Sequence, residues 1–299
     1  MRALPVLLAA LVVLSGAGLT RPGLDAEIAG LAGLADDGAK LGVLVVIEGR
    51  GVVVSRAPST PRAAASAIKT AIAVDLLAVR GDLLNTVPVG VDALLRPGTH
   101  PAFDGFTHQE LERARLQLAG KTYRELARIM MGRTEAVNAV YNAACNLIMI
   151  KLGGPQAIGD RIHALDPALA GLDLNRYMQS WNGNGDNTAT PEALVSLYRM
   201  TASGDVPGLS RDRVDTLRAF LRRDGGGGPG TVYEKVGTLF PQPMVRVHAG
   251  YQHRASGNLV YAVMGEIPKE GTGDEAERFA RLMNGVDHVT EACLRLAEP

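Results

Sequence analysis

The chain has 299 residues, 46% of them hydrophobic and 21% charged, a balance that excludes a disordered or fibrous polymer and leaves room for one large domain or two closely packed lobes. Lys and Arg together number 31, as do Asp and Glu. No basic excess therefore exists to hold nucleic acid or an anionic membrane surface.

Met1-Arg2 precede the apolar run Ala3 to Leu14, and Ser15-Gly16-Ala17 follow with small residues. A charged start, a short apolar stretch and a small-residue site predict a signal peptide over residues 1–17, with Ala17 the last residue removed and the mature domain spanning 24–299. The run is shorter than the roughly 20 apolar residues a spanning helix needs. Contact with a membrane is thus expected only through this transient segment, and the location is expected to be periplasmic or extracellular. Cys145 and Cys293 are the only cysteines. Export permits a disulfide between them, but the apolar helical surroundings of Cys145 favour a buried free thiol.

From Leu41 the β-rich run to Ile47, the turn residues Glu48 to Gly51 and the strand-like Val52 to Val54 predict a hairpin. The loop Ala57 to Pro61 leads into Ala63 to Arg80, which lacks Gly and Pro and is expected to be one long buried helix. Residues 81–120 are punctuated by Pro and Gly and predict irregular structure with a polar helix around Gln109 to Leu118. Helices are expected over Thr122 to Met131, Ala139 to Leu152 and Pro155 to Leu165, then a polar loop over Asn175 to Asn187. Thr190 and Pro191 supply an N-cap and a first helical residue for a further helix. A glycine-rich connector, Asp224 to Gly230, precedes strand-like segments at 232–236, 245–251 and 259–266, and a helix from Glu275 to Leu296 closes the chain. Strands at both ends around a helical middle predict an α/β fold of the α+β type. Its antiparallel sheet is assembled from both termini and flanked by helices, with an all-helical lobe inserted.

Ser66-Ala67-Ile68-Lys69 places a hydroxyl and an amine three residues apart, on one face of a helix. A serine hydroxyl becomes a useful nucleophile when a neighbour takes its proton, and a lysine can do so if burial and nearby positive charge keep it neutral. Taken alone, the tetrad reads as a small helical residue followed by a lysine that extends to solvent, and only its context favours the catalytic reading. The six histidines show no metal-ligand spacing, so no metal is expected.

Further segments fall in a telling order. Gly120-Lys121-Thr122-Tyr123-Arg124-Glu125-Leu126 is followed by Tyr141-Asn142-Ala143-Ala144-Cys145-Asn146-Leu147-Ile148 and Lys151-Leu152-Gly153-Gly154. Asn187-Thr188-Ala189-Thr190-Pro191-Glu192-Ala193 comes next, and Lys235-Val236-Gly237 closes a predicted strand. In this order, across residues 40–268, the chain resembles the class A β-lactamases and penicillin-binding serine enzymes, in which a Ser-x-x-Lys tetrad opens a helix after a hairpin.

The resemblance implies an exported serine acyl hydrolase with Ser66 as nucleophile and Lys69 as proton shuttle. It also implies a mechanism without cofactor or metal, and a lactam, an ester or a peptidoglycan-derived peptide as substrate. The backbone amides of Ser66 and Thr238 would hold the oxyanion. Lys235 would offer charge to a substrate carboxylate and help to depress the pKa of Lys69. Val236, Gly237 and Thr238 would line the substrate. Asn142 would bond Lys69 or the substrate amide, or else serve as a helix cap.

Three departures from the pattern qualify this expectation. Val140 stands where the family has a proton-relaying serine, and Tyr141, which carries a hydroxyl, falls one position away. Val236 replaces a hydroxyl residue that binds the substrate carboxylate. Counting back from Thr190 puts Leu174 or Met178 where class A enzymes carry the glutamate that activates the deacylating water. Slow deacylation is therefore expected. The alternative is a catalytically silent fold that binds a peptidoglycan fragment or a protein partner.

Overall fold

The computed structural model describes residues 38–181, 184–223, 230–241, 243–268 and 273–296. The expected signal peptide and most of the glycine-rich connector lie outside the described residues.

The hairpin forms as β1 (Lys40–Ile47) and β2 (Gly51–Arg56), and the chain reaches Ser66 through a short strand, β3 (Arg62–Ala63). The helical middle comprises α1 (Lys69–Arg80), α2 (Val91–Leu94), α3 (His108–Leu118), α4 (Tyr123–Met130), α5 (Asn138–Lys151) and α6 (Pro155–Leu165). Two short strands, β4 (Leu172–Asp173) and β5 (Thr188–Ala189), then enclose the polar loop, and α7 (Pro191–Ser203) and α8 (Arg211–Leu221) follow. The chain ends in β6 (Val232–Leu239), β7 (Met244–Gln252), β8 (Leu259–Ile267) and α9 (Glu275–Leu294).

Both termini contribute to a five-stranded sheet of order β2-β1-β8-β7-β6, antiparallel at every pairing. β1 is buried along almost its whole length because both faces of the sheet are covered. Val43, Val45 and Ile47 meet Leu282, Val286 and Val289 of α9, whereas Leu44 and Val46 join the larger core on the opposite face. The period of two in a strand thus divides one apolar run between two cores. The α+β architecture read from the sequence is the one observed.

Capping chemistry sets several boundaries in the helical lobe. Thr107 and Thr122 each accept from the backbone amide three residues on, while Glu110 and Glu125 reach back to the threonine amides, a reciprocal capping box that starts α3 and α4. Thr190 caps α7 through the Ala193 amide, with Pro191 in the first turn. In α1, residues 69–77 are all buried. Its one carboxylate, Asp75, is met by both arms of Arg161, at 2.8 and 2.6 Å. A fully buried acid needs such a partner, since its unpaired charge would oppose folding.

One local expectation is corrected. The helix expected over Ala63 to Arg80 is broken: Arg62 and Ala63 form β3, Ala65–Ile68 wind as a 3₁₀ turn, and the α-helix begins at Lys69. The cause lies at Ala65, whose φ of 45° is left-handed and unsuited to a regular helix. Helix α8 and the short α2 were not anticipated from periodicity.

Candidate functional site

Ser66 sits at the junction of strand, turn and helix. The Ala64 amide donates to Asn187 O at 2.9 Å and the Ala67 amide to Ala64 O at 3.0 Å, which fixes the turn on both sides of the serine. Left-handed backbone at a non-glycine residue costs about 1–3 kcal/mol and persists only where the surroundings impose it. Here Ala65 carries it, directly before the candidate nucleophile. In a 3₁₀ turn residues i and i+3 eclipse, so the tetrad keeps Ser66 and Lys69 on one side despite the shift from the expected helix.

Across the cleft runs β6. A Cβ on Gly237 would stand 2.9 Å from Ala64 O, from the Ala67 amide nitrogen and from the Ser66 amide nitrogen. Strand and turn are therefore in backbone contact, a fit that only glycine allows. Because β6 is an edge strand, one row of its amides is not used by the sheet. Thr238, the residue after Gly237, faces the same cleft as Ser66.

Lys69 is almost fully buried, and its Nζ donates to Asn142 Oδ1 at 2.8 Å. Asn142 Nδ2 in turn donates to Gln179 Oε1 at 2.9 Å. Burial pushes the Lys69 amine below its ordinary pKa, against a smaller opposing effect of the Cys145 thiol. Lys235 is held down to about 7, by burial first and then by the charges of Lys69 and Arg133. The Lys69 charge thus disfavours a second ammonium group at Lys235.

A neutral Lys69 can keep its donor bond to Asn142 and still offer a lone pair to Ser66. Burial therefore shifts loss of the Lys69 proton below the pH at which an exposed lysine loses it. The rate at which a fluorophosphonate labels Ser66 should rise with pH and level off below the ordinary lysine range, and a rate independent of pH up to that range would remove Lys69 as the base.

The cleft encloses about 300 Å³ and is lined by Ser66, Asn138, Asn142, Gln179, Thr238 and the loop after β4, with Trp181 and Phe240 at its mouth. That loop is closed by Arg176, whose Nε donates to Asp186 Oδ1 at 3.0 Å. Asn187 Oδ1 accepts from the Asn175 and Arg176 amides, at 2.8 and 3.0 Å. Gln179 has a φ of 60°, and a Cβ on Gly105 would fall 1.5 Å from Gln179 O. The segment around Gly105 thus presses on the backbone of Gln179 and holds its amide against Asn142.

Of the residues singled out in the sequence, Ser66, Asn142 and Thr238 line the cleft, with Lys69 beneath through Asn142 and Gly237 at the strand contact. Tyr141 is not brought there. Its hydroxyl donates to Thr134 O at 2.9 Å and accepts from the Ala136 amide at 3.2 Å, bracing the loop that leads into α5. Lys235 Nζ is turned onto Val236 O at 2.8 Å, and neither Lys235 nor Val236 is among the lining residues.

Neither Leu174 nor Met178 carries the missing acid, and the polar group that faces Asn142 is Gln179. Asp173 accepts from Thr188 Oγ1, and Asp186 is held by Arg176. Asp173 does not line the cleft, whereas Asp186 does, with its carboxylate paired to Arg176. Asn138 lines the cleft one turn ahead of Asn142, a spacing present in the sequence but not used there. Both cysteines are buried and free, and burial raises the Cys145 thiol to about 11. Among the described residues no group of His, Cys, Asp and Glu is arranged to hold a metal, and no helix is long and apolar enough to cross a membrane.

No family profile matches the chain, and no curated protein matches it in sequence. Solved structures do match. A β-lactamase from Desulfarculus baarsii DSM 2075 superposes with a TM-score of 0.65 at 20% identity, over 94% of this chain and 100% of that one. A β-lactamase from Sphaerobacter thermophilus DSM 20745 gives 0.63 at 19% identity, over 92% and 98%. The β-lactamase of Streptomyces albus G gives 0.63 at 20% identity, over 90% and 98%. The chain has the β-lactamase fold.

Proposed function

We propose that the protein is a serine acyl hydrolase in which Ser66 attacks an activated carbonyl and Lys69 takes its proton. The observation that carries this reading is the buried Lys69 amine, bonded to Asn142, beneath a serine that opens onto the cleft. Desolvation favours the neutral amine such a base requires. The Ser66 and Thr238 amides, on the two backbones that meet at Gly237, would hold the oxyanion.

Collapse of the tetrahedral intermediate expels the leaving group, which takes its proton from the protonated Lys69. Val140 is buried and apolar, and Tyr141 is occupied elsewhere, so no second relay assists a poor leaving group. Esters and strained lactams suit this arrangement better than ordinary amides. The test is hydrolysis of an activated short-chain ester, which should fall to background in Ser66→Ala. Unchanged turnover in that variant would remove the reading. A silent binding fold is favoured by Val140 and Val236 alone, and would be left standing if neither esters nor lactams react.

The same reading includes export, resting on the succession of charged, apolar and small residues over 1–17. Terminal sequencing of protein from the native host should begin at Gly18. Recovery of Met1 on the mature protein would contradict it.

A further inference from the structure

A carboxylate leaves water only at a cost, which a free cation or several hydrogen-bond donors must offset. Around this cleft the cations are already engaged. Arg176, the one cation among the described lining residues, donates to Asp186 Oδ1 and, through Nη1, to Ser180 O at 2.9 Å, and its guanidinium lies 4.7 Å from the centre of the Trp181 ring. Arg246 pairs with Thr238 across the β6–β7 register. It donates to Asp287 Oδ1 and Oδ2 at 2.7 and 3.0 Å and to Thr238 Oγ1 at 3.0 Å, and His248 Nε2 closes on the same Asp287 oxygen at 2.8 Å. Lys235 is turned onto Val236 O, Lys69 is bonded to Asn142, and the side chain at 236 has no hydroxyl.

The groups left over suit a neutral ligand. With Arg246 donating to its oxygen, the Thr238 hydroxyl can direct its own proton to a carbonyl. At the mouth stand Trp181 and Phe240, 67% and 46% exposed. Each has a partner behind it, Arg176 for the indole and Phe279 for the phenyl ring at 4.7 Å between centroids. Two supported rings at the rim offer apolar faces rather than charge.

We propose that this cleft, on the reading that Ser66 is its nucleophile, takes acyl substrates with no carboxylate beside the scissile bond: neutral esters or neutral strained lactams, rather than acids of the penicillin type. The selecting residues are Asp287, which neutralises Arg246, and Val236, which removes a donor. Both act without touching the reacting atoms.

Calorimetry on the Ser66→Ala protein tests binding apart from chemistry. The probes are N-benzoyl-D-alanyl-D-alanine and its C-terminal carboxamide, which differ only in that charge. The carboxamide should bind at least about tenfold more tightly, the range expected when a charged acceptor lacks its donor. Asp287→Asn, which releases Arg246, and Val236→Thr, which restores a hydroxyl, should each raise affinity for the acid and narrow the ratio. Equal or tighter binding of the acid by the parent protein would overturn the proposal, as would binding of neither probe, or a ratio unmoved in both variants. Fluorophosphonate labelling of the unsubstituted protein separates the two ideas. Labelling at Ser66 with no preference for the carboxamide leaves the nucleophile standing and removes the specificity. A clear preference without labelling does the reverse.

Discussion

Mixed with a reactive lactam, the protein should give a burst followed by a slow steady state, with a persistent adduct on the peptide that contains Ser66. Acylation has its nucleophile and its amine, but the polar group that faces Asn142 from the loop after β4 is the neutral amide of Gln179. An amide can orient a water molecule and cannot accept its proton. A general base contributes about 10²–10⁴-fold, so breakdown of the adduct should be slower by a factor of that order than with a carboxylate in place. Gln179→Glu supplies that carboxylate without changing side-chain length, and the left-handed backbone at 179 need not change. The lifetime of the adduct should then shorten by about two to four orders of magnitude, the range a base supplies. Stopped-flow and intact-mass measurements on both proteins read this directly. Rapid turnover by the unsubstituted protein, without accumulation of an adduct, would mean that another group activates water.

The second large effect is expected at Gly237. Its missing side chain lets β6 touch the turn that carries Ser66, and an added Cβ would meet three backbone atoms at 2.9 Å. Backbone cannot rotate aside as a side-chain tip can, so Gly237→Ala must part strand from turn by a few tenths of an ångström, and Gly237→Val by more. The Ser66 and Thr238 amides would then diverge from a shared oxyanion. Loss of one such donor costs about 10²–10³ in rate. Acylation should fall by at least that order in Gly237→Val and less in Gly237→Ala, with the helical lobe still folded by circular dichroism. Unimpaired acylation in the valine variant would show that the oxyanion is held elsewhere.

The sheet and the helices were legible because their signals are local. Alternating and continuous apolar runs marked β1, β7 and β8, while Thr122 with Glu125 and Thr190 with Pro191 marked helix starts. The 3₁₀ turn at Ser66 was hidden, since nothing in Ala63-Ala64-Ala65 announces a residue at φ 45°. That conformation is imposed by Asn187 O and by Gly237, both more than a hundred residues away.

The candidate site divides in the same way. Ser66, Lys69, Asn142 and Gly237 could be named from motif order. Gln179 could not, because position within a loop of irregular backbone cannot be counted from its exit. The engagement of Arg246 with Asp287 joins residues 41 apart on a strand and a helix, and sequence alone does not say which charges are already paired. Tyr141 shows the opposite error, a suitable hydroxyl whose partners, Thr134 O and the Ala136 amide, hold it in the loop before α5.

The central claim is that Ser66 is a nucleophile activated by Lys69. Peptide mass spectrometry after exposure to a fluorophosphonate addresses it most directly, with Ser66→Ala and Lys69→Ala treated alongside. The account predicts one adduct, on the peptide that contains Ser66, absent from the Ser66→Ala protein and strongly slowed in Lys69→Ala. An adduct that persists in Ser66→Ala, or that forms at the parent rate without Lys69, would contradict it.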